Sequence, residues 1–192
     1  MQNLSVKIPT QRHVPITVEM YHLMNERGAF HPDERVELIG GRIFDMSPIG
    51  SLHARCVNFL NAYLSNIFAG KFIVGVQNPI LLDDQSEPQP DIALLEYRED
   101  FYKDELPSAA DVRLIIEVAD TSAEYDRGVK FPRYAAAGVS EAWLIDLFNE
   151  RIEIHSDPTT NAYQLNMTYV RGQSIQSKNI PTINLAVNDI LG

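Results

Sequence analysis

Asp91, Glu117 and Lys130 are the residues of this 192-residue chain whose types and placement best suit chemistry. Asp91 opens an apolar run, Ile92 to Leu95, and Glu117 stands near the end of another, Val112 to Val118. If those runs are antiparallel neighbours, the start of one lies beside the end of the other. Two carboxylates distant in sequence then meet at one sheet edge. A charge between Ile116 and Val118 is costly to bury unless something compensates it. A hard divalent cation would do so, since such ions take carboxylate oxygens and keep water on their other positions. An ion pair to an arginine or a capped strand end would also serve, and spacing alone does not choose.

Asp126, Lys130 and Tyr134 recur at four-residue steps and share one face of an unbroken helix. Pro132 interrupts that face, because proline donates no backbone hydrogen bond. A lysine following the Glu117 strand could stabilise charge on a phosphate oxygen or orient a water. By spacing alone, an exposed Asp126–Lys130 pair worth a few tenths of a kcal/mol is the simpler reading. His53, early in a helical stretch, could assist at phosphate or serve as a local hydrogen-bond partner. His13, His22, His31 and His155 show no metal-binding spacing. Trp143 and Cys56 sit among apolar neighbours and read as core.

The elements that must position these residues form an α+β chain with a mixed or antiparallel sheet. Thr17 followed by Val18, Tyr21, Leu23 and Met24 reads as a short helix ending near Gly28, and Arg35–Ile39, Gly40-Gly41 and Arg42–Met46 read as a hairpin. Val57, Leu60, Leu64, Ile67 and Phe68 give a helix from Ser51, as its cap, to about Ala69. Strands are expected over Phe72–Gln77, Pro79–Leu82, Pro90–Leu95 and Val112–Val118. Thr121 to Glu124 resembles a capping box opening a helix to about Ala137, kinked or restarted at Pro132 and ended by Gly138. Ala142–Asp146 and Arg151–His155 pair as a hairpin. Tyr163–Val170, Ser174–Gln176 and Thr182–Ala186 read as edge strands.

An ordered set of motifs carries a family resemblance from about Thr17 to the C-terminus. It comprises Val36-Glu37 through Arg42, Ser51 through His53, Pro90-Asp91, Leu114 through Ser122, Tyr125-Asp126 through Lys130, Tyr134 through Gly138, and Glu141 through Asp146. Together these resemble the Uma2 family of endonucleases within the PD-(D/E)xK superfamily. The resemblance implies a restriction-endonuclease-like fold: a central mixed sheet flanked by helices, one domain over 1–192 with its core at about 17–155 and extra C-terminal strands at 160–192. It implies Asp91 and Glu117 as catalytic metal ligands and Glu37 as a further ligand through water. The superfamily's usual lysine position is Ala119 here, and the family's lysine from the following helix points to Lys130. His53, Asp126 and Tyr134 are possible accessory groups. The implied activity is endonucleolytic hydrolysis of DNA with Mg²⁺ or Mn²⁺. A catalytically silent regulatory or nucleic-acid-binding module of the same fold, or a hydrolase of small phosphate esters, would use the same residues.

Composition narrows the setting. Hydrophobic residues make up 45% and charged residues 22%, which suits a globule with one full core. The first twenty residues contain no apolar run that could form a signal-peptide core, and no stretch is long enough to span a bilayer, so a cytoplasmic location is expected. One cysteine excludes an internal disulfide. A net charge of −10, with no basic run, disfavours tight metal-free DNA binding and predicts binding that depends on the cation. A homodimer is expected by analogy, because cutting both strands requires two sites.

Overall fold

The computed structural model describes residues 14–192; His13 and the stretch before it lie outside the described residues. Thr17 accepts a hydrogen bond from the Met20 N–H and caps α1 (Val18–Glu26). β1 (Val36–Ile39) and β2 (Arg42–Asp45) form a separate antiparallel hairpin. Its two turn residues, Gly40 and Gly41, both have positive φ, the geometry that matches the right-handed twist of paired strands. α2 spans Ser51–Ile67, with Gly50 rather than Ser51 at its N-cap.

The central sheet has six strands in the order β3 (Phe72–Val76), β4 (Ile92–Glu96), β5 (Val112–Ala119), β6 (Glu141–Asp146), β7 (Arg151–Pro158) and β8 (Tyr163–Val170). β5 and β6 run parallel and every other neighbour is antiparallel. The sheet is therefore mixed, in an α+β molecule of the restriction-endonuclease-like type. Parallel strands need a crossover, and a helical segment supplies it: α3 (Ala123–Tyr125), a π-turn (Asp126–Lys130) and α4 (Phe131–Ala136).

Alternation in β5 divides the core. Leu114, Ile116 and Val118 face one layer with Trp143, Ile145 and the α2 residues Cys56, Leu60 and Leu64. Ile115 and Ala119 face the other, with Phe131, Tyr134 and Val139. Burial on both faces explains the nearly continuous apolar run of β5.

Three further expectations are corrected, and one helix is added. Pro79–Leu82 is not a strand; Leu81 makes only a single bridge to Ser108. β9 (Ser174–Gln176) and β10 (Asn184–Ala186) pair with each other instead of edging the main sheet. Thr121–Glu124 forms no capping box, since Ser122 makes no side-chain cap bond and instead donates its hydroxyl to Asp126. Finally, α5 (Val187–Leu191), unforeseen, buries Val187, Ile190 and Leu191 against the α2 layer. No helix among the described residues is long and apolar enough to cross a membrane.

Candidate active site

The β4–β5 register pairs Ile92 with Ile116 and Ala93 with Ile115. One further step sets Asp91 across from Glu117, both on the face that carries Ala93 and Ile115. The Val118 N–H donates to Asp91 Oδ2 at 2.9 Å, which ties the two strand ends together. Asp91 Oδ1 accepts from Gln77 Nε2 at 3.0 Å. His53 Nε2, reaching over from α2, comes within 2.9 Å of the same oxygen. Among the described residues this buried ring nitrogen makes no hydrogen bond, so its link to Asp91 is one of charge proximity.

Glu117 Oε1 accepts from Tyr134 OH at 2.5 Å and from Lys130 Nζ at 3.1 Å. The same ammonium lies 3.1 Å from Glu37 Oε2. Glu37, on β1, also accepts from Tyr125 OH and from the Gln89 N–H. Lys130 thus bridges a carboxylate of the hairpin and a carboxylate of the central sheet. Lys130 and Asp126 are each only 4% exposed, so the simple surface pair expected from spacing does not exist. Asp126 is held instead by the Ser122 hydroxyl.

The backbone between Asp126 and Lys130 explains how this face survives Pro132. The Phe131 N–H bonds to the Asp126 carbonyl, five residues back instead of four. In a regular helix the Pro132 ring would press on the Gly128 carbonyl and leave it without a donor. Widening one turn relieves that clash and places Pro132 in the first turn of α4, where no N–H is needed. The wide turn keeps Asp126, Lys130 and Tyr134 on the Glu117 side. Arg127 anchors it from behind, donating to buried Asp146 at 2.6 Å and Glu153 at 2.8 Å.

Glu37, Asp91, Glu117 and Asp126 line one open cleft, with Lys130 as its buried cation. Burial raises the Glu117 carboxyl above its ordinary value, against the pull of Lys130 and helped by Asp126, Asp91 and Glu37. Burial likewise raises Asp126, opposed by Lys130 and the Ser122 hydroxyl. For Lys130, burial favours the neutral amine, but the surrounding carboxylates outweigh it and the ammonium holds its proton. Six carboxyl groups, those four with Asp45 and Asp120, against Lys130 and Arg35 leave the cleft short of positive charge.

Among the described residues, no three His, Cys, Asp or Glu side chains are gathered as a ready metal cluster. An ion such as Mg²⁺ typically binds through one or two carboxylates plus water and substrate phosphate. Asp91 and Glu117 are the pair whose strand register serves this. Glu37 shares the Lys130 ammonium with Glu117. Gln77 and Tyr125 were not singled out from the sequence. Gln77 sits at positive φ just past β3, a property its side chain does not advertise, while Tyr125 lies beside Asp126 in a motif already noted.

Residues 18–188 match the Uma2 family, described as "Putative restriction endonuclease". A structure described as "a putative nuclease belonging to DUF820", from Anabaena variabilis, superposes with a TM-score of 0.67. The two chains are 15% identical, and the match covers 92% of this chain and 98% of that one. At that identity the likeness concerns the fold alone. Comparison with curated proteins gives no match.

Proposed function

We propose, from the premise that this chain belongs to the Uma2 family, that it is a divalent-metal-dependent endonuclease hydrolysing DNA phosphodiester bonds. The family and the neighbouring fold make it nuclease-like. The observation that supports the finer reading is the buried meeting of Asp91 and Glu117 with Lys130 in a cleft deficient in positive charge. Asp91 and Glu117 would hold Mg²⁺ or Mn²⁺, with Glu37 contributing through water. Such an ion supplies Lewis acidity and lowers the pKa of a coordinated water.

The chain's own residues have separable tasks. The Val118 N–H and Gln77 fix the orientation of the Asp91 carboxylate. Tyr134 fixes Glu117 Oε1, leaving Glu117 Oε2 without a protein donor among the described hydrogen bonds. Lys130 has three N–H donors, of which Glu37 and Glu117 take two. The third is available to a phosphate oxygen on which negative charge builds during attack. The acidic cleft repels DNA until the cation is bound, so binding and cleavage should share one metal dependence.

The test is cleavage of supercoiled plasmid and of oligonucleotide duplexes with Mg²⁺, Mn²⁺ or chelator, by wild type and Asp91→Asn. Metal-dependent cleavage that Asp91→Asn abolishes is expected. Equal cleavage by Asp91→Asn would overturn the assignment. Metal-dependent DNA binding without cleavage would instead favour a module that keeps the fold and has lost catalysis.

A further inference from the structure

β8 is an edge of the central sheet, and among the described residues it pairs only with β7. Exposed edges present unpaired N–H and C=O groups, and proteins usually blunt them with lysine, proline, a bulge or a short strand. This one is eight residues long and contains neither proline nor any charged residue: Tyr163, Gln164, Leu165, Asn166, Met167, Thr168, Tyr169 and Val170. Leu165 is 43% exposed and Met167 55%. Opposite Met167 on β7 is Ile154, and beside that pair Tyr169 faces Ile152; Ile152 and Ile154 belong to the α2-side core and Tyr169 packs on it. Leu165 and Met167 therefore continue an apolar core layer to the open rim.

The strand is also nearly palindromic about Asn166. When two copies pair antiparallel through a twofold axis at Asn166, Leu165 meets Met167, Gln164 meets Thr168, and Asn166 meets its own copy. Apolar side chains then fall opposite apolar ones on one face, and amides opposite a hydroxyl and an amide on the other, the combinations that stabilise cross-strand neighbours. Charge points the same way. Each copy carries −10, and two copies can approach most cheaply where neither presents a charge.

We infer that β8 is the homodimer interface of this protein, joining two six-stranded sheets into one continuous sheet by antiparallel β8–β8 pairing centred on Asn166. The occupant of the edge is a second copy of this chain.

Cysteine cross-linking reads the register directly. In either kind of antiparallel pair, directly opposed Cα atoms lie about 4.5–5.5 Å apart, within the range a disulfide spans. The native Cys56 is fully buried and its thiol is pushed up to about 12 by burial, so it does not compete. Under mild oxidation, Asn166→Cys should form a covalent dimer across the axis. Gln164→Cys alone should not, whereas Gln164→Cys mixed with Thr168→Cys should. In sedimentation at micromolar concentration, wild type should behave as twice the 21.7 kDa chain. Met167→Lys, a change at an exposed position, should halve that mass while keeping the wild-type circular dichroism spectrum. A monomeric wild type, a Met167→Lys variant that stays dimeric, or cross-linking of Gln164→Cys alone as efficient as that of Asn166→Cys would overturn the inference.

Discussion

Removing the Lys130 ammonium would leave Glu37 and Glu117 buried without the cation both now share. Breaking one side of a buried charge pair typically costs about 3–5 kcal/mol. Lys130→Ala is therefore expected to lower stability by about that much at slightly alkaline pH, measured by urea denaturation. Its DNA cleavage, compared under conditions where the variant is still folded, should fall roughly 10²–10³-fold. Undiminished cleavage would exclude Lys130 from the chemistry. The same cluster sets a pH dependence. Glu117 and Asp126 bind protons more tightly folded than unfolded, because burial raises both. Their contribution to stability is fully present below the ordinary carboxylate range and is lost as pH rises through the folded values. The urea midpoint of the metal-free protein should thus decline between about pH 6 and pH 8. Asp126→Asn should flatten that decline, and a midpoint that climbs over this interval would contradict the assignment.

Pro132 and the π-turn before it form the element on which the cation's position depends. Pro132→Ala restores a backbone donor and removes the need for the wide turn, so a regular helix becomes accessible. Stability should hold or rise, by at most about 3 kcal/mol. Asp126 and Lys130 would then shift register against Glu117, and displacement of about 1 Å is enough to lose roughly 10² in rate. Thermal melts and cleavage assays on the same preparation should show a folded, poorly active variant. A Pro132→Ala protein with full activity would mean that the π-turn is incidental to the site.

Elements also show how much was legible in advance. β4, β5, the helical crossover and the β6–β7 hairpin follow from periodicity, and their order alone brings Asp91 towards Glu117. The bond from Tyr134 to Glu117 and the bridge from Lys130 to Glu37 depend on a turn five residues wide, which a four-residue periodicity cannot encode. Ser51 fits a cap by residue type, yet it is the first residue of the helix, and Gly50 before it is the N-cap, without a side-chain cap bond. α5 escaped because five residues without a side-chain cap carry almost no helical signal; only burial against α2 makes them a helix.

For the whole molecule, the −10 charge and the cation-poor cleft act together. A ligand that binds only the native state raises stability by mass action, by about 2.7 kcal/mol at a hundred times its Kd. Mg²⁺ or Mn²⁺ should therefore raise the melting temperature of wild type, more at slightly alkaline pH than in acid, where protonated carboxyls bind the ion less well. Asp91→Asn and Glu117→Gln should each lose most of that rise. A melting curve indifferent to millimolar ion would argue that Lys130 alone satisfies the carboxylates and that no cation is held.

The Arg55 guanidinium on α2 donates to the carbonyls of Asp189 and Ile190 on α5, across sequence separations of 134 and 135 residues. The core layer beneath joins the same two helices. A chain must therefore close a very long loop before that layer can consolidate, and long loops cost entropy before their contacts return any. The β6–β7–β8 meander, whose pairings are local, can form early, while the α2–α5 closure waits. The late-forming closure would also act as a latch on the reverse reaction, governing how long the native state persists more than how quickly it is reached.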